Sequence, residues 1–168
     1  INTIQGAKAC GAAIIVAVDR VPSKHEVAKR FGATHACAPE DLPALSQRLT
    51  GGIGFDYAFE VIGLSATIRA AYDAVRRGGM AVVVGAGRFD DQVSFNAAEL
   101  FSSEKKLVGS LYGSGNVRRD FPRLINLWRG GQLDLEGLIS RRIRLDQVDD
   151  AFETMSRGEV IRQVITLE

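Results

Sequence analysis

Short apolar runs and amphipathic stretches take turns along the chain, and glycines mark most of the changeovers. Ile1–Cys10 reads as a helix with small residues at Gly6, Ala7 and Ala9, closed by Gly11. Ala13–Val18 is a continuous apolar run rich in β-branched residues, the pattern of a strand buried on both faces of a parallel sheet. Pro22–Phe31 then reads as a helix, with Ser23 as its cap and Val27, Ala28 and Phe31 on one face. The unit recurs: His35–Ala38 as a strand, Asp41–Leu49 as a helix running to Gly51–Gly52, and Asp56–Ile62 as a strand. A helix over Ser65–Arg76, stopped by Gly78–Gly79, leads to the strand Met80–Val84. Beyond Gly85 the pattern loosens to a short helix, Asn96–Phe101, and a strand, Lys106–Tyr112. Val117–Arg129 is a helix with Phe121, Leu124, Ile125 and Trp128 at spacings of three or four. Two short segments, Leu133–Ile139 and Ile143–Leu145, precede a helix over Gln147–Met155 and a last strand, Val160–Leu167. Strands alternating with helices predict an α/β domain with a parallel sheet and right-handed crossovers. No Pro/Ser-rich linker divides the chain, so a single domain is expected over 1–168.

Composition narrows the function classes. Of 168 residues, 46% are hydrophobic and 24% charged, and 21 Lys+Arg against 20 Asp+Glu leave a net charge of +1. Such a balance gives no field to hold nucleic acid or an anionic membrane. The basic pairs Arg118–Arg119 and Arg141–Arg142 lack interleaved aromatics and read as solvated faces. No apolar run is long enough to span a bilayer, and no signal-peptide pattern starts the chain. Two cysteines, Cys10 and Cys37, make neither a disulfide framework nor a four-ligand zinc site, and the expected compartment is the cytoplasm. His25 and His35 have no carboxylate or thiol at ligand spacing. The chain starts at Ile1, as if mid-helix, and reads as a fragment.

Two features point to chemistry. Asp19 stands at the carboxyl end of the first buried strand, the edge where doubly wound sheets bind ligands. A carboxylate there accepts both hydrogen bonds of a ribose diol and repels a 2′-phosphate; the plain alternative is a turn-forming Asp. Glycines also follow three strands, in Val61-Ile62-Gly63, Val84-Gly85-Ala86 and Leu111-Tyr112-Gly113. Backbone-only surfaces at that edge admit a flat ring, although Gly after a strand is common turn chemistry. The G-x-G-x-x-G fingerprint that should precede such a helix is not in the chain.

The segments IQGAKACGA, IIVAVD with Lys24 behind it, AKRFGATHA, FDYAFEVIG, GGMAVVVG, KLVGSLYGS, DFPRLINLWRGGQLDLEGLIS and GEVIRQVITL follow in order. Together they resemble the cofactor-binding half of zinc-dependent, medium-chain alcohol dehydrogenases, nearest the class III and actinobacterial types. The resemblance implies a Rossmann-type doubly wound parallel sheet that lacks its first strand and glycine fingerprint. It implies that Asp19 binds the adenosine ribose of NAD, that Arg20 lies beside the adenine, and that Lys24 also reaches the ribose. Val61, Ile62 and Gly63 would line the adenine and ribose side. Val84, Gly85 and Ala86, with Ser110, Leu111 and Tyr112, would stand against the nicotinamide. Arg162 would pair with the pyrophosphate.

The same resemblance assigns the catalytic zinc, its ligands and the proton relay to another domain. The chain is thus expected to hold part of an NAD site, with no catalytic or metal-binding residue and no activity alone. In the parent enzyme, hydride would pass between a small alcohol or aldehyde and NAD. A zinc-free quinone or enoyl reductase of the same superfamily, and a non-catalytic remnant, are the alternatives. The resemblance also implies a homodimer joined edge to edge through Lys106–Tyr112. Without a first strand, Ala13–Val18 is expected to close directly onto Asp56–Phe59, at low stability.

Overall fold

The computed structural model describes residues 1–167. It is mixed α/β with parallel sheets, and its residues group into two compact units: Ile1–Ala38 with the chain from Val117 onward, and Pro39–Asn116.

The first unit opens with helix α1 (Asn2–Ala9), strand β1 (Val16–Val18), helix α2 (Pro22–Arg30) and strand β2 (His35–Cys37). β1 pairs in parallel with β2, Val16 opposite His35 and Val18 opposite Cys37. The expected six-residue strand is shortened to three residues. Before it, Thr34 ties Ile15 through its hydroxyl, which accepts from the Ile15 amide at 2.8 Å and donates to the Ile15 carbonyl at 3.0 Å. Burial on both faces is not realised: Ile14 and Val18 are 42% and 40% exposed. The small core holds Ile15, Ala28 and Ala33, with Ile1, Ile4, Ala7 and Ala17 packed against it. Ser23 is not the cap of α2. Pro22 takes the first helical position, where its missing N–H costs nothing, so Val21 becomes the capping residue.

The second unit runs from a short turn of helix, Pro39–Asp41, through α3 (Leu42–Thr50), β3 (Phe55–Glu60), α4 (Ser65–Ala74), β4 (Val75–Val83), α5 (Ala97–Ser103) and β5 (Lys106–Gly109). The sheet order is β3-β4-β5, all parallel. The predicted helix over Ser65–Arg76 stops two residues early. Val75 is already extended and pairs with Phe55, and the register then shifts so that Met80 faces Tyr57, with Gly78 left-handed between (φ 67°). Tyr72 of α4 is fully buried; its hydroxyl is 3.2 Å from that of Ser103, and Phe95 meets its ring edge-on at 4.8 Å. The Arg69 guanidinium lies over both rings and binds Asp73 and Glu99, which hold its pKa above the usual range. Asn96 caps α5, accepting from the amides of Ala98 and Glu99. β5 ends at Gly109, short of Tyr112. Leu111–Ser114 coils into a helical turn in which Tyr112 is left-handed (φ 52°).

The first unit resumes with α6 (Val117–Arg129), β6 (Ile139–Ile143), α7 (Val148–Ser156) and β7 (Arg162–Ile165). β6 and β7 pair in parallel: β7 falls within the strand expected over Val160–Leu167, while β6 lies where the sequence pattern leaves only short segments. The buried Gln5 of α1 grips the loop beyond α6, donating to the Asp134 carbonyl at 3.0 Å and accepting from its amide at 2.7 Å.

Among the described residues the ladders are β1–β2, β3–β4–β5 and β6–β7. Direct closure of Ala13–Val18 on Asp56–Phe59 is not among them, which corrects that expectation. Each strand stays with the neighbour its own crossover delivers: α2 returns the chain beside β1, and α4 returns it beside β3.

Candidate functional site

Asp19 leaves the carboxyl end of β1, and its amide donates to the Cys37 carbonyl at 3.1 Å. One carboxylate oxygen, Oδ1, accepts from the Val21 amide at 2.9 Å, and the other, Oδ2, lies 4.0 Å from Lys24 Nζ. Asp19 is therefore a turn former with one oxygen and presents the other beside a cation. Both side chains are about one-third exposed, 38% for Asp19 and 34% for Lys24, so a ligand can reach them. The backbone carbonyl of Asp19 is also held, by His25 Nε2 at 2.7 Å. Gly158, in the α7–β7 turn, has φ +73°, and a Cβ there would lie 3.3 Å from Lys24 Nζ. Its glycine thus leaves room for the Lys24 head. Burial pushes the Ile1 amino group, at the start of α1, below its usual pKa, with the Asp19 carboxylate pulling the other way. Arg20 is exposed, and Arg162 opens β7 with its side chain exposed. A cavity of about 260 Å³ beside Lys24, lined also by Arg30, Ser140 and Gly158, is too small for a dinucleotide.

In the second unit, Val61-Ile62-Gly63 and Val84-Gly85-Ala86 are the turns that leave β3 and β4, and they lie against each other. A Cβ on Gly85 would sit 2.2 Å from the Gly63 amide nitrogen, and one on Gly63 (φ +89°) 2.5 Å from the Ala86 carbonyl carbon. These glycines are needed for backbone-to-backbone packing, whereas the sequence suggested room for a ring. Glu60, 3% exposed, organises the pair. Its backbone carbonyl accepts from the Val84 and Gly85 amides at 2.8 and 3.1 Å. Its Oε1 accepts from the Ile62 and Gly63 amides at 2.7 and 2.8 Å and from the Thr67 hydroxyl at 2.7 Å. The other oxygen, Oε2, is buried without a hydrogen-bond partner among the described residues. Around this anchor Val61, Ile62 and Val84 point outward, 54%, 60% and 43% exposed. The third segment is looser. The Ser110 amide donates to the Val83 carbonyl at 2.9 Å, Leu111 and Tyr112 are exposed, and a Cβ on Gly113 would meet nothing within 4 Å.

The structure thus brings Asp19 to Lys24 in one unit, and Gly63 to Gly85 and Ala86 in the other. Sequence reasoning missed His25 and Glu60. A signal for Glu60 existed: a carboxylate ending a strand, three residues before a glycine, can accept the amides of the turn. Among the described residues, no group of three or more His, Cys, Asp and Glu side chains could hold a metal ion. No helix there is long and apolar enough to cross a membrane. Cys10 is exposed and Cys37 buried, and His35 bonds the Thr34 hydroxyl at 2.9 Å.

Residues 1–129 match the model of a family described as zinc-binding dehydrogenase. The chain is 34% identical to an NDMA-dependent alcohol dehydrogenase of Amycolatopsis methanolica, over 98% of its own length and 46% of that protein. It is 34% identical to alcohol dehydrogenase 2 of Zea mays, over 98% of the chain and 44% of that protein. The crystal structure of benzyl alcohol dehydrogenase from Acinetobacter calcoaceticus superposes with a TM-score of 0.91 at 30% identity, covering 98% of this chain and 46% of that one. The chain spans just under half the length of the relatives it matches.

Proposed function

From the chain's membership of the zinc-binding dehydrogenase family, we propose that it is the NAD-holding portion of an alcohol or aldehyde dehydrogenase. The observation that carries this reading is the Asp19–Lys24 pair. One carboxylate oxygen is committed to the Val21 amide, and the other is presented beside an ammonium group 4.0 Å away. A ribose diol donates to such a carboxylate and accepts from such an ammonium, whereas a 2′-phosphate would meet the carboxylate charge. Arg20 lies toward the adenine, and Arg162 supplies forked donors to the pyrophosphate. Val61, Ile62 and Gly63 line the adenosine side. Val84, Gly85 and Ala86, with Ser110, Leu111 and Tyr112, offer backbone groups and apolar surface to the nicotinamide. When bound, NAD supplies the hydride acceptor for alcohol oxidation.

No cluster of described side chains fits zinc, so no step through that metal is assigned to this chain; on this reading the zinc chemistry belongs to another part of the parent enzyme, and the chain alone is expected to be inactive. The whole 168 residues form part of one dinucleotide-binding domain, and the parent enzyme is cytoplasmic. Its dimer forms through the edge of β5, whose four residues are all exposed and pair only with β4 among the described residues.

Calorimetric titration of the chain with NAD and NADP tests the reading. NAD is expected to bind at least about tenfold more tightly, an advantage of about 1.4 kcal/mol, and Asp19→Gly to erase it. A preference for NADP would refute the ribose assignment and favour the quinone or enoyl reductase alternative.

A further inference from the structure

We propose that His25 is a positioning residue for nucleotide recognition: by holding the Asp19 carbonyl, it fixes the direction of the Asp19 carboxylate. The inference rests on the reading of Asp19 as the ribose acceptor.

Asp19 is held at every polar atom except one. Its amide is bound to the Cys37 carbonyl of β2, its Oδ1 to the Val21 amide, and its carbonyl to His25 Nε2 at 2.7 Å. Only Oδ2, facing Lys24, is left for a ligand. The carbonyl can only accept, so Nε2 carries the proton in this bond and the tautomer is fixed. The bond closes across six residues, from the first turns of α2 back to the strand end. The geometry of the intervening turn depends on it. The 2.9 Å bond from the Val21 amide to Oδ1 depends on how the peptides that follow Asp19 are turned. Of the residues in that turn, Arg20 and Pro22 are exposed and Val21 is half-buried, so packing restrains the turn only in part. Pro22 has no N–H with which to brace the turn. Lys24 precedes His25 directly, and its amide donates to the Val21 carbonyl at 3.0 Å. One helical turn therefore carries both the cation of the pair and the brace of its anion. Losing the brace lets the Asp19 carboxylate swing relative to Lys24. Its charge remains, so general affinity for an anion changes little, but the fit to a diol is lost.

The test compares the chain with its His25→Leu, His25→Gln and Asp19→Gly variants, titrating NAD and NADP by calorimetry. The Gln amide nitrogen can occupy the place of Nε2, and Leu offers no donor. The expected result is a fall of about tenfold in the NAD:NADP affinity ratio for His25→Leu, recovery of most of it in His25→Gln, and melting temperatures within a few degrees of each other. An unchanged ratio in His25→Leu beside a collapsed ratio in Asp19→Gly overturns the proposal and leaves the ribose reading standing. If Asp19→Gly leaves the ratio unchanged, the ribose reading itself fails. Amide hydrogen exchange at Val21 then decides the brace directly: protection lost in His25→Leu and kept in His25→Gln supports it, and equal protection in both overturns it.

Discussion

Three turns leave the carboxyl ends of β3, β4 and β5, each with a glycine, and they are built on two different principles. Gly63 and Gly85 are pressed against one another's backbones, at distances no side chain allows. Gly113 stands in open space and is glycine only because its φ is +70°. The first two turns are locked by Glu60, whose carbonyl and carboxylate together accept five hydrogen bonds. The third is held to β4 by the Ser110 amide and carries the left-handed residues Tyr112 and Ser114 around its glycine. A glycine after a strand thus reports either a contact or a dihedral angle, and the two differ in what a methyl group would cost.

The largest expected effect comes from Gly85→Ala. Its φ is not left-handed, so the added Cβ meets no backbone strain of its own, yet it would stand 2.2 Å from the Gly63 nitrogen. Backbone cannot give way as a flexible side chain does, and the turns must separate, at a cost of about 3 kcal/mol or more. Urea unfolding of the chain should show a large drop in midpoint, or loss of the cooperative transition. An unchanged midpoint would mean that the two turns do not pack. Glu60→Ala comes next. It removes the acceptor for the Ile62 and Gly63 amides and the Thr67 hydroxyl, leaving the Gly63 amide buried without a partner. That costs about 2 kcal/mol on the same assay. Exchange of the Gly63 amide should quicken even where the rest of the sheet stays protected. Equal protection there would show that the carboxylate is not its anchor.

Local signals were legible in the sequence and partner-dependent ones were not. Phe121, Leu124, Ile125 and Trp128 set the helix Val117–Arg129 to the residue, because helical spacing is carried within the segment. The run Ala13–Val18 announces a strand, but its length depends on the ladder it finds, and only Val16–Val18 find residues of β2. Ser23 looks like a cap until the neighbouring Pro22 starts the helix first. At the site, Asp19 stands out because a charge at a strand end is written in the sequence, whereas Lys24, inside α2, is singled out only by the family resemblance. The bond from His25 to a main-chain carbonyl is not written there, since a carbonyl is present at every position. Glu60 lies inside the segment FDYAFEVIG, yet its role appears only once the chain folds back to bring its Oε1 to the Ile62 and Gly63 amides.

Gly113→Ala is the smallest of the three effects and the sharpest check on the comparison. A methyl group at this position touches nothing within 4 Å, so no packing term enters. What remains is the dihedral angle. At φ +70° an L-residue places its Cβ against the neighbouring carbonyl oxygen, which costs roughly 1–2 kcal/mol. Against this, alanine restricts the unfolded chain and returns about 0.4–1 kcal/mol. The net loss should be about 1 kcal/mol or less, a shift of a few degrees in melting temperature. Tyr112, directly before it, already bears the same left-handed backbone at φ 52° without being glycine, so the turn tolerates such a residue. If Gly113→Ala destabilised the chain as much as Gly85→Ala, the third turn would have to pack against backbone as the first two do. The division between glycines of contact and glycines of conformation would then fail.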